Sequence, residues 1–380
     1  MRIGFDMRPF LKEETGVGIY FKNLLFHLAQ IDSLNEYYLF SSSYKDRFPP
    51  QKIPPFVKRY VRDFRFPVKV VNFFWHRLSW PPLDRFFRTG LDLTHSATPL
   101  ILPTKGKKIV TVHDLFFMDF PYMTDKETRR DFVNKIKDSL LKADGIVAVS
   151  HFTRNRLLER FAVEAKKVKV IYHGLDPRFY ADISPEEMEE VRQRYSLPSS
   201  FILFVGAMES RKNILNLVDA LKVVHQKHEK IPLLIVGRPG SDSRNLEKKI
   251  EKEKLEAWIK IMGYLPHKDV RIFYRLASVF ALPSLCEGFG FPLLEAMASQ
   301  LPIVASQAPA IPEIAQEAAL YFNPEAPEDM MEKIILALKD ENVRQILIAE
   351  GRKRVLDFDW RKAAQETLNF YKDVTGGSQI

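Results

Sequence analysis

The stretch PSLCEGFGFPLLEAMA occupies residues 283–298. An apolar run typical of a buried strand ends at its start, a loop containing Glu287 follows, and Pro292 stands where the first turn of a helix would begin. Gly288 and Gly290 allow the backbone to approach a ligand closely, and the unpaired amides of a helix N-terminus favour an anion. The stretch therefore predicts a strand–loop–helix unit that binds a phosphate group.

Charged residues lie in this loop, in the helix that follows it and upstream of both. Glu287 lies in the loop and Glu295 about one turn into the helix, so the two carboxylates could bracket hydroxyl groups attached to a bound phosphate. The alternative is an ordinary glycine-containing connection in which Glu295 only complements the helix dipole. Arg211 and Lys212 follow the strand predicted at 201–205, at the same carboxyl edge of the sheet, where paired cations would hold a diphosphate. Their position favours the phosphate site.

Short apolar runs and longer amphipathic stretches alternate along the chain, which predicts βα units around parallel sheets. The first series predicts strands at 2–6, 37–41, 91–95, 108–113, 145–150 and 168–172, with helices at 18–30, 125–142 and 151–161. After a hinge at 173–184, a second series predicts strands at 201–205, 233–236, 259–262, 279–283 and 303–305, with helices at 213–228, 243–258, 268–277 and 292–299.

The fold class expected from this alternation is α/β, with two facing Rossmann-like doubly wound parallel sheets and a ligand-binding cleft between them. We expect an N-terminal domain over 1–175 and a C-terminal domain over 176–359, with the last helix, within 360–380, packing back on the first domain. A chain of 380 residues, 46% of them hydrophobic, is long enough to form two cores.

Composition excludes several classes of protein. No secretory leader pattern begins the chain and no apolar run approaches the roughly 18 residues of a spanning helix, so we expect a cytoplasmic protein. The single cysteine, Cys286, excludes an intramolecular disulfide and a Cys-rich zinc site.

Residues 44–88, here called the basic–aromatic segment, hold eleven Lys and Arg against three Asp, a net charge of +8 in a chain whose total is +9. Twelve large aromatic side chains alternate with these cations, a pattern typical of a surface that binds an anionic membrane or ligand. An ordinary solvated face over core aromatics explains the pattern equally well. Nucleic acid is a third partner, but no nucleic-acid-binding motif supports it.

Several motifs resemble those of the retaining glycosyltransferases of GT-B fold in family 4, also called glycosyltransferase group 1, which includes many bacterial mannosyltransferases. The family's E-x7-E signature corresponds to Glu287 and Glu295. Further matching segments, in the family's order, are GFDMR at 4–8, TGVGIY at 15–20, VTVHDL at 110–115, VSHFT at 149–153, IYHGLD at 171–176 and VGAMESRKN at 205–213. The resemblance covers essentially the whole chain.

The resemblance implies roles for individual residues. The implied catalytic residues are His113, near the transferred sugar, and Glu287 and Lys212. The implied donor-binding residues are Gly16, Gly18, Gly206, Arg211, Lys212, Gly263, Tyr264, Leu265, Gly288, Phe289, Gly290 and Glu295. Among them Arg211 and Lys212 would hold the diphosphate and Glu295 the ribose. The resemblance also implies that Gly16 to Gly18 form a loop beside the diphosphate and acceptor. Without the resemblance, a histidine that closes a strand is as well explained by a structural role.

Two positions depart from the family pattern. Ala207 stands where many relatives have an arginine, and Ile19 stands where many have a basic or polar residue. The D-x-D sequence at 357–359 precedes the last helix, where Asp359 is a suitable N-cap, and no other cluster has metal-ligand spacing. We predict an enzyme that needs neither metal nor cofactor.

The function implied is retaining transfer of a hexose, with mannose from GDP-mannose as the first choice and a UDP-hexose as the second. A glycan or lipid-linked acceptor in cell-surface polysaccharide synthesis, reached at the inner face of the cell membrane, would suit the basic–aromatic segment. A nicotinamide-dependent oxidoreductase should show G-x-G-x-x-G at its first strand–helix turn, and this chain does not. A sugar-nucleotide epimerase and a nucleic-acid-binding protein remain alternatives.

Overall fold

The computed structural model describes residues 1–11, 15–124, 133, 135–227 and 230–376. They form two compact units. Unit 1 comprises Met1–Gly174 together with the C-terminal stretch that begins at Asp359, and unit 2 comprises Leu175–Phe358. The backbone therefore passes between the units twice, once after Gly174 and once after Phe358.

Unit 1 is built on seven parallel strands in the order β3-β2-β1-β4-β5-β6-β7. The strands are β1 Arg2–Asp6, β2 Glu36–Ser42, β3 Arg59–Phe64, β4 Leu93–Ser96, β5 Lys107–Val112, β6 Gly145–Ala148 and β7 Val168–Val170. The α-helices described in this unit are Gly16–Ile31, Val68–Phe73, Leu83–Phe87, Phe116–Asp119, Ile136–Lys142, His151–Arg160 and Trp360–Thr375. All residues of β4 and β6 are buried, as expected for parallel strands covered on both faces.

Unit 2 is built on six parallel strands in the order β10-β9-β8-β11-β12-β13. The strands are β8 Ile202–Val205, β9 Leu233–Val236, β10 Ile259–Gly263, β11 Val279–Leu282, β12 Ile303–Ser306 and β13 Ala319–Phe322. The α-helices described are Pro185–Arg194, Ile214–Lys227, Ser243–Lys252, His267–Leu276, Phe291–Ala298, Ile311–Ala315, Pro327–Lys339 and Glu341–Val355. A core of buried, mostly aliphatic residues joins the strands to the helices on one face.

The predicted fold class of two doubly wound parallel sheets is confirmed. In each sheet the order reverses once, between β1 and β4 in unit 1 and between β8 and β11 in unit 2. The loops that follow neighbouring strands turn away in opposite directions at such a point, which leaves a crevice where ligands bind in this class of fold. The two reversal points therefore mark where a site is expected in each unit.

The sequence prediction missed two edge strands. β3 reads RYVRDF, and its alternating charged and aromatic residues are mostly exposed or half-buried, so it lacks the apolar run that identified the others. β13 reads ALYF, and its two central residues are only half-buried, as expected for a strand at the edge of the sheet. The helix predicted at 125–142 is present as Ile136–Lys142, while 125–132 and 134 lie outside the described residues, as does the end at 228 of another predicted helix.

The helix Trp360–Thr375 packs within unit 1. It buries seven residues, and its Phe370 and Val374 lie so close to Gly145 that a Cβ there would stand 2.8 Å from each side chain. On the same helix, the Tyr371 hydroxyl lies 2.6 Å from Nδ1 of His95 on β4. This helix therefore completes the core of the unit that contains the chain's first half.

The aromatic residues of the basic–aromatic segment divide into two sets. Trp75 and Phe56 are buried, as a core role predicts. The exposed apolar side chains between 66 and 80 are Phe66, Val70, Phe73, Phe74, Leu78 and Trp80. Exposed cations accompany them, with the Arg77 guanidinium 5.8 Å from the Phe73 ring and the Arg85 guanidinium 5.7 Å from the Trp80 ring. The buried set thus belongs to the core, and the exposed set lies beside cations at the surface.

None of the helices in the described ranges combines the length and the apolar character that crossing a bilayer requires.

Candidate active site

Four neighbouring strands of unit 2 end at one edge of its sheet, because parallel strands all point the same way. The loops after β10, β9, β8 and β11 carry, in that spatial order, Tyr264, Arg238, Lys212 and Glu287. The order reverses between β8 and β11, so Lys212 and Glu287 flank the reversal point. The residues predicted for donor binding in this unit therefore follow adjacent strands.

Lys212 and Glu287 form a buried ion pair that Arg211 extends. The Lys212 ammonium donates to Oε1 of Glu287 at 2.5 Å, and the Ser284 hydroxyl donates to the same oxygen at 2.7 Å. The Arg211 guanidinium donates to the other oxygen of Glu287 at 3.2 Å and to Glu209 at 2.8 Å. Lys212 and Glu287 are each only 6% exposed. Both oxygens of Glu287 are engaged, and this carboxylate fixes the positions of two cations.

Charge pairing controls the protonation of Glu287. Burial alone would raise the pKa of this carboxyl, but the charges of Lys212 and Arg211 outweigh burial and lower the pKa to about 2. Burial lowers the pKa of the Lys212 ammonium, while the attraction of Glu287 opposes that shift. An ionised carboxylate with two cationic partners is poorly suited to donate a proton at neutral pH. It is well suited to hold cations in place for an anionic ligand.

The helix Phe291–Ala298 begins next to this cluster. It starts one residue before the predicted Pro292, which occupies its second position, and no side chain of the described residues caps its first turn. Pro292 has no N–H and the Leu293 amide donates to the Gly290 carbonyl at 3.0 Å, so the helix offers an anion the positive end of its dipole rather than a row of free amides. Gly288 and Phe289 are buried in the loop that leads to it, with the Phe289 ring 5.7 Å from the rings of Phe291 and Phe358.

Gly290, at the N-cap of this helix, has φ of +96°, a left-handed conformation in which L side chains are strained. A Cβ here would also lie 3.0 Å from Cδ1 of Leu293. We expect Gly290→Ala to lower the free energy of unfolding by about 1–3 kcal/mol, measured by urea denaturation. Gly290→Asn should cost less, because asparagine tolerates positive φ. Equal stability of wild type and the alanine variant would contradict this assignment.

Glu295 lies in the second turn of the same helix and is half-buried. Burial raises the pKa of its carboxyl, with smaller opposing effects of Tyr274, His267 and Arg178 and a reinforcing effect of Asp176. The buried Tyr274 hydroxyl interacts electrostatically with this carboxylate but forms no hydrogen bond of ordinary geometry in the described structure. Glu295 is therefore placed to accept hydrogen bonds from a ligand.

The loop after β10 presents backbone and an aromatic ring. Gly263 has φ of +71°, a Cβ added to it would meet no described atom within 4 Å, and its carbonyl accepts from the Gly237 amide at 2.8 Å. Leu265 is buried, whereas Tyr264 is half-exposed, and the Arg238 guanidinium lies 5.9 Å from the Tyr264 ring. Sequence reasoning missed Arg238. Its only signal was a cation directly after the glycine that ends a predicted strand.

Gly206, directly after β8, brings the backbone close to the ion pair. Its amide donates to the carbonyl of Val236 at 2.9 Å, and a Cβ here would lie 3.7 Å from Cε of Lys212. Gly206 therefore lies within van der Waals distance of the buried lysine.

Gly16 and Gly18 were expected to lie in a loop, and this prediction is wrong. Both belong to the first turn of the helix Gly16–Ile31, because the Thr15 hydroxyl accepts from the Gly18 amide at 3.1 Å and caps the helix. Gly16 is exposed and Gly18 is buried. The helix follows β1, one of the two strands at the reversal point of unit 1.

His113 directly follows β5 in unit 1. Its Nε2 lies 3.0 Å from the carbonyl oxygen of Ala97, and since a carbonyl only accepts, Nε2 carries the proton and Nδ1 the lone pair. Its ring lies 4.9 Å from that of Tyr20 and 5.5 Å from that of His173. Burial lowers the pKa of His113 to about 4. The imidazole is therefore neutral at pH 7 and acts as a hydrogen-bonding group.

A buried polar chain runs behind His113, and sequence reasoning missed it. The Thr111 hydroxyl lies 2.9 Å from the Tyr20 hydroxyl and 2.8 Å from Nε2 of His95, whose Nδ1 meets Tyr371. Burial lowers the pKa of His95 to about 3. The chain links four elements of unit 1 and fixes the ring of Tyr20, against which His113 packs.

The two buried, neutral histidines predict that the folded protein loses stability in acid. His95 and His113 bind protons more weakly in the folded state than in the unfolded state, whose pKa is near 6.5, so protons favour unfolding. We expect the melting temperature to fall as the pH decreases from about 6.5 toward about 4, measured by scanning calorimetry. His113→Asn should make this dependence shallower. A melting temperature constant over that range would contradict the burial of neutral histidines.

Within the described ranges, no group of three or more His, Cys, Asp or Glu side chains is arranged to hold a metal ion. Asp359 of the D-x-D sequence accepts from the Arg361 amide at 2.9 Å and caps the last helix, as predicted.

Two family models match the chain. The model described as Glycosyltransferase Family 4 matches residues 15–179, and the model described as Glycosyl transferases group 1 matches residues 187–354. The two matches follow one another along the chain and together leave only its ends and a short linker uncovered. The chain belongs to the family 4 (group 1) glycosyltransferases. The family recognised from the sequence motifs is confirmed. Membership of this family favours a glycosyltransferase over the oxidoreductase, epimerase and nucleic-acid-binding alternatives.

A relative matches over the full length of this glycosyltransferase. It is O-antigen chain mannosyltransferase B of Escherichia coli, 29% identical over 383 residues, which cover 98% of this chain and 100% of the relative.

Two solved structures share the fold. Sucrose-phosphate synthase from Thermosynechococcus elongatus is 19% identical, with a TM-score of 0.76 over 99% of this chain and 100% of the other. HepE from Anabaena, crystallised with UDP and glucose, is 18% identical, with a TM-score of 0.73 over 98% of this chain and 100% of the other. The expected GT-B fold is confirmed.

Proposed function

We propose that this glycosyltransferase transfers mannose from GDP-mannose, with retention of anomeric configuration, to a glycan or lipid-linked acceptor in the synthesis of a cell-surface polysaccharide such as an O-antigen. The observation that carries the proposal is the ion pair of Lys212 with Glu287, extended by Arg211, beside the uncapped helix that begins at Phe291. The similarity to an O-antigen mannosyltransferase over the whole chain supports the choice of sugar and acceptor.

The reaction requires stabilisation of the charge that develops on the departing nucleoside diphosphate. Lys212 and Arg211 are held in position by Glu287 before any ligand arrives, so they do not have to reorganise during the reaction. The first amides of the helix Phe291–Ala298 add partial positive charge at the same sheet edge. Unit 2 is on this basis the donor-binding unit, and unit 1 the acceptor-side unit.

Retention needs either a covalent intermediate or attack by the acceptor on the same face of the sugar from which the leaving group departs. Glu287, the carboxylate of the cluster, already accepts hydrogen bonds from Lys212, Ser284 and Arg211, which makes it a weak nucleophile. This arrangement favours front-face attack. The bond from the anomeric carbon to the phosphate oxygen breaks, the acceptor oxygen bonds to that carbon on the same face, and the acceptor proton moves to the departing phosphate.

Other residues would bind rather than react. Glu295 is placed to accept hydrogen bonds from ribose hydroxyls, and the exposed Tyr264 ring with Arg238 can pack against the base. Neutral His113 is suited to exchange hydrogen bonds with hydroxyls of the transferred sugar. No metal is needed for this scheme, since the cations and the helix amides supply the positive charge. A UDP-hexose is the second candidate donor, because HepE was crystallised with UDP and glucose.

A transfer assay tests the proposal. The protein is incubated with a chelator and with GDP-mannose or UDP-glucose, together with a mannosylated lipid-linked acceptor, and the anomeric configuration of the product is determined by NMR. Transfer of mannose with retention, unaffected by the chelator, is the expected result. Transfer from UDP-glucose alone would correct the donor, and an inverted product would overturn the mechanism.

We also propose that the basic–aromatic segment contacts the inner face of the cell membrane. Phe66, Phe73 and Trp80 are each about half-exposed, and exposed Lys69, Arg77 and Arg85 accompany them. Apolar rings that enter the lipid interface next to cations that meet anionic headgroups are the pattern of peripheral membrane binding. An enzyme with a lipid-linked acceptor would gain access to it in this way.

Vesicle co-sedimentation tests this contact. Phe73→Ala/Trp80→Ala should weaken binding to vesicles containing phosphatidylglycerol by about tenfold, because two rings leave the interface. Tyr122→Ala removes an even more exposed ring of unit 1 outside the segment and serves as the control. Equal binding of the double variant and the control, or no preference for the anionic lipid, would refute the contact.

A further inference from the structure

Unit 2 contains a cavity of about 420 Å³ that the proposed donor site does not use. Its wall includes Ser299 and Gln300, which precede β12, and Arg275, which precedes β11. The cavity therefore lies toward the amino ends of these parallel strands, whereas Lys212 and Glu287 follow carboxyl ends. Its volume is within the range of small-molecule sites.

Three arginines line this cavity. Arg271 and Arg275 lie four residues apart on the helix His267–Leu276, and Arg352 lies on the helix Glu341–Val355. Within the described part of the chain, no carboxylate forms an ion pair with any of the three guanidinium groups. Among the cavity-lining residues, the one acid is Asp182, which is exposed. Positive charge is thus gathered at this cavity without internal compensation.

Some N–H donors of these arginines have no acceptor among the described residues. Arg271 donates to the backbone carbonyls of Arg178 at 2.6 Å and Asp182 at 3.4 Å, and its Nε is buried without a partner among the residues described. Arg275 donates to the Ser299 carbonyl at 3.4 Å, and Arg352 reaches the side chain of Gln300. The buried Ser299 hydroxyl also has no partner among the described residues. Like charges at i and i+4 and unpaired buried donors are both unfavourable, and a bound anion would relieve them.

We propose that this cavity is a second anion site that binds a phosphate-bearing small molecule, independently of the donor site and of the proposed function. Guanidinium groups match phosphate geometry with paired hydrogen bonds. The segment Phe179–Ile183, which follows the first passage from unit 1, forms one wall, and Val355 and Leu356, which precede the second passage, form another. An anion bound here would lie beside residues next to both passages, and Arg271 already donates to the backbone carbonyls of Arg178 and Asp182.

Hydrogen exchange with inorganic pyrophosphate as the probe tests the site, because it distinguishes the two anion sites by peptide. We expect pyrophosphate to protect peptides covering 177–183 in the wild type and in Lys353→Ala, which removes an exposed charge next to Arg352 that does not line the cavity. Arg275→Ala/Arg352→Ala should require about tenfold more pyrophosphate or more for the same protection. Protection at 209–213 and 285–291, in the donor site, should be the same in all three proteins.

Other outcomes decide the proposal. Protection limited to the donor-site peptides, or protection of 177–183 that is unchanged in the double variant, would overturn it. The same variants are then compared on phosphatidylglycerol vesicles. If binding falls in the double variant but not in Lys353→Ala, the phosphate belongs to a lipid headgroup. If binding is unchanged while pyrophosphate protection is lost, the ligand is a free phosphate compound.

Discussion

Replacing Lys212 by alanine is expected to lower the rate of sugar transfer by about 10²–10³-fold, the effect typical of removing one preorganised group from a charge-stabilising site. The reason is geometric. The Lys212 ammonium is 2.5 Å from Glu287 and shielded from solvent, so it meets a diphosphate in a medium where its charge is weakly screened. Initial rates at saturating donor and acceptor give the measurement.

Lys248→Ala is the matched control, since it removes an exposed lysine from the helix Ser243–Lys252 of the same unit. Its rate should equal that of the wild type. Glu287→Gln should also be slower than the wild type, and the double variant Lys212→Ala/Glu287→Gln should be little slower than Lys212→Ala, because Glu287 acts through the cations that it holds. A Lys212→Ala enzyme with full activity would remove the ion pair from the mechanism.

Replacing Glu287 by alanine is expected to lower the free energy of unfolding by about 3–5 kcal/mol, the range found when one partner of a buried ion pair is removed. Lys212 would be left buried beside the like charge of Arg211, and Glu209, the remaining carboxylate of the cluster, pairs with Arg211 instead. Urea denaturation followed by tryptophan fluorescence measures the change.

A second variant separates charge from packing. Lys212→Met/Glu287→Leu replaces both charges by apolar side chains of similar size, and it should recover most of the lost stability while remaining inactive. Stability of Glu287→Ala equal to that of the wild type would show that the pair is not the buried, mutually dependent unit described. An active double variant would show that its charges are not needed for transfer.

Much of the fold follows from local sequence. The strands around both reversal points are buried on two faces, so their apolar runs are visible in the chain, and the segment at 283–298 carries a strand, a ligand loop and a helix start in one stretch. The edge strand β3 could not be found in this way, because only one of its neighbours is a strand and its charged residues are exposed. Glycines at 16 and 18 are typical of a loop, but the Thr15 cap places both in the first turn of a helix.

The site divides along similar lines. The sequence marked Glu287, through its spacing from Glu295, and the cations Arg211 and Lys212 as candidate site residues. These three are the members of the ion-pair cluster. Ser284 and Glu209, which hold the same cluster, belong to no spacing rule, since their contacts depend on how two loops meet. The polar chain through His95 joins residues up to 276 positions apart, and nothing local in the sequence marks it. Trp75 and Trp80 lie five residues apart, one buried and one exposed, so composition could not separate core from surface.

The most direct test of the central claim is a calorimetric titration of GDP-mannose, UDP-glucose, UDP-N-acetylglucosamine and NADH, without added metal, against the wild type, Lys212→Ala and Glu295→Ala. The account predicts that GDP-mannose binds the wild type and that each substitution weakens its binding by about tenfold or more, since each removes a charged hydrogen-bonding partner. Binding of NADH alone, or binding of a sugar nucleotide that neither substitution alters, would contradict it.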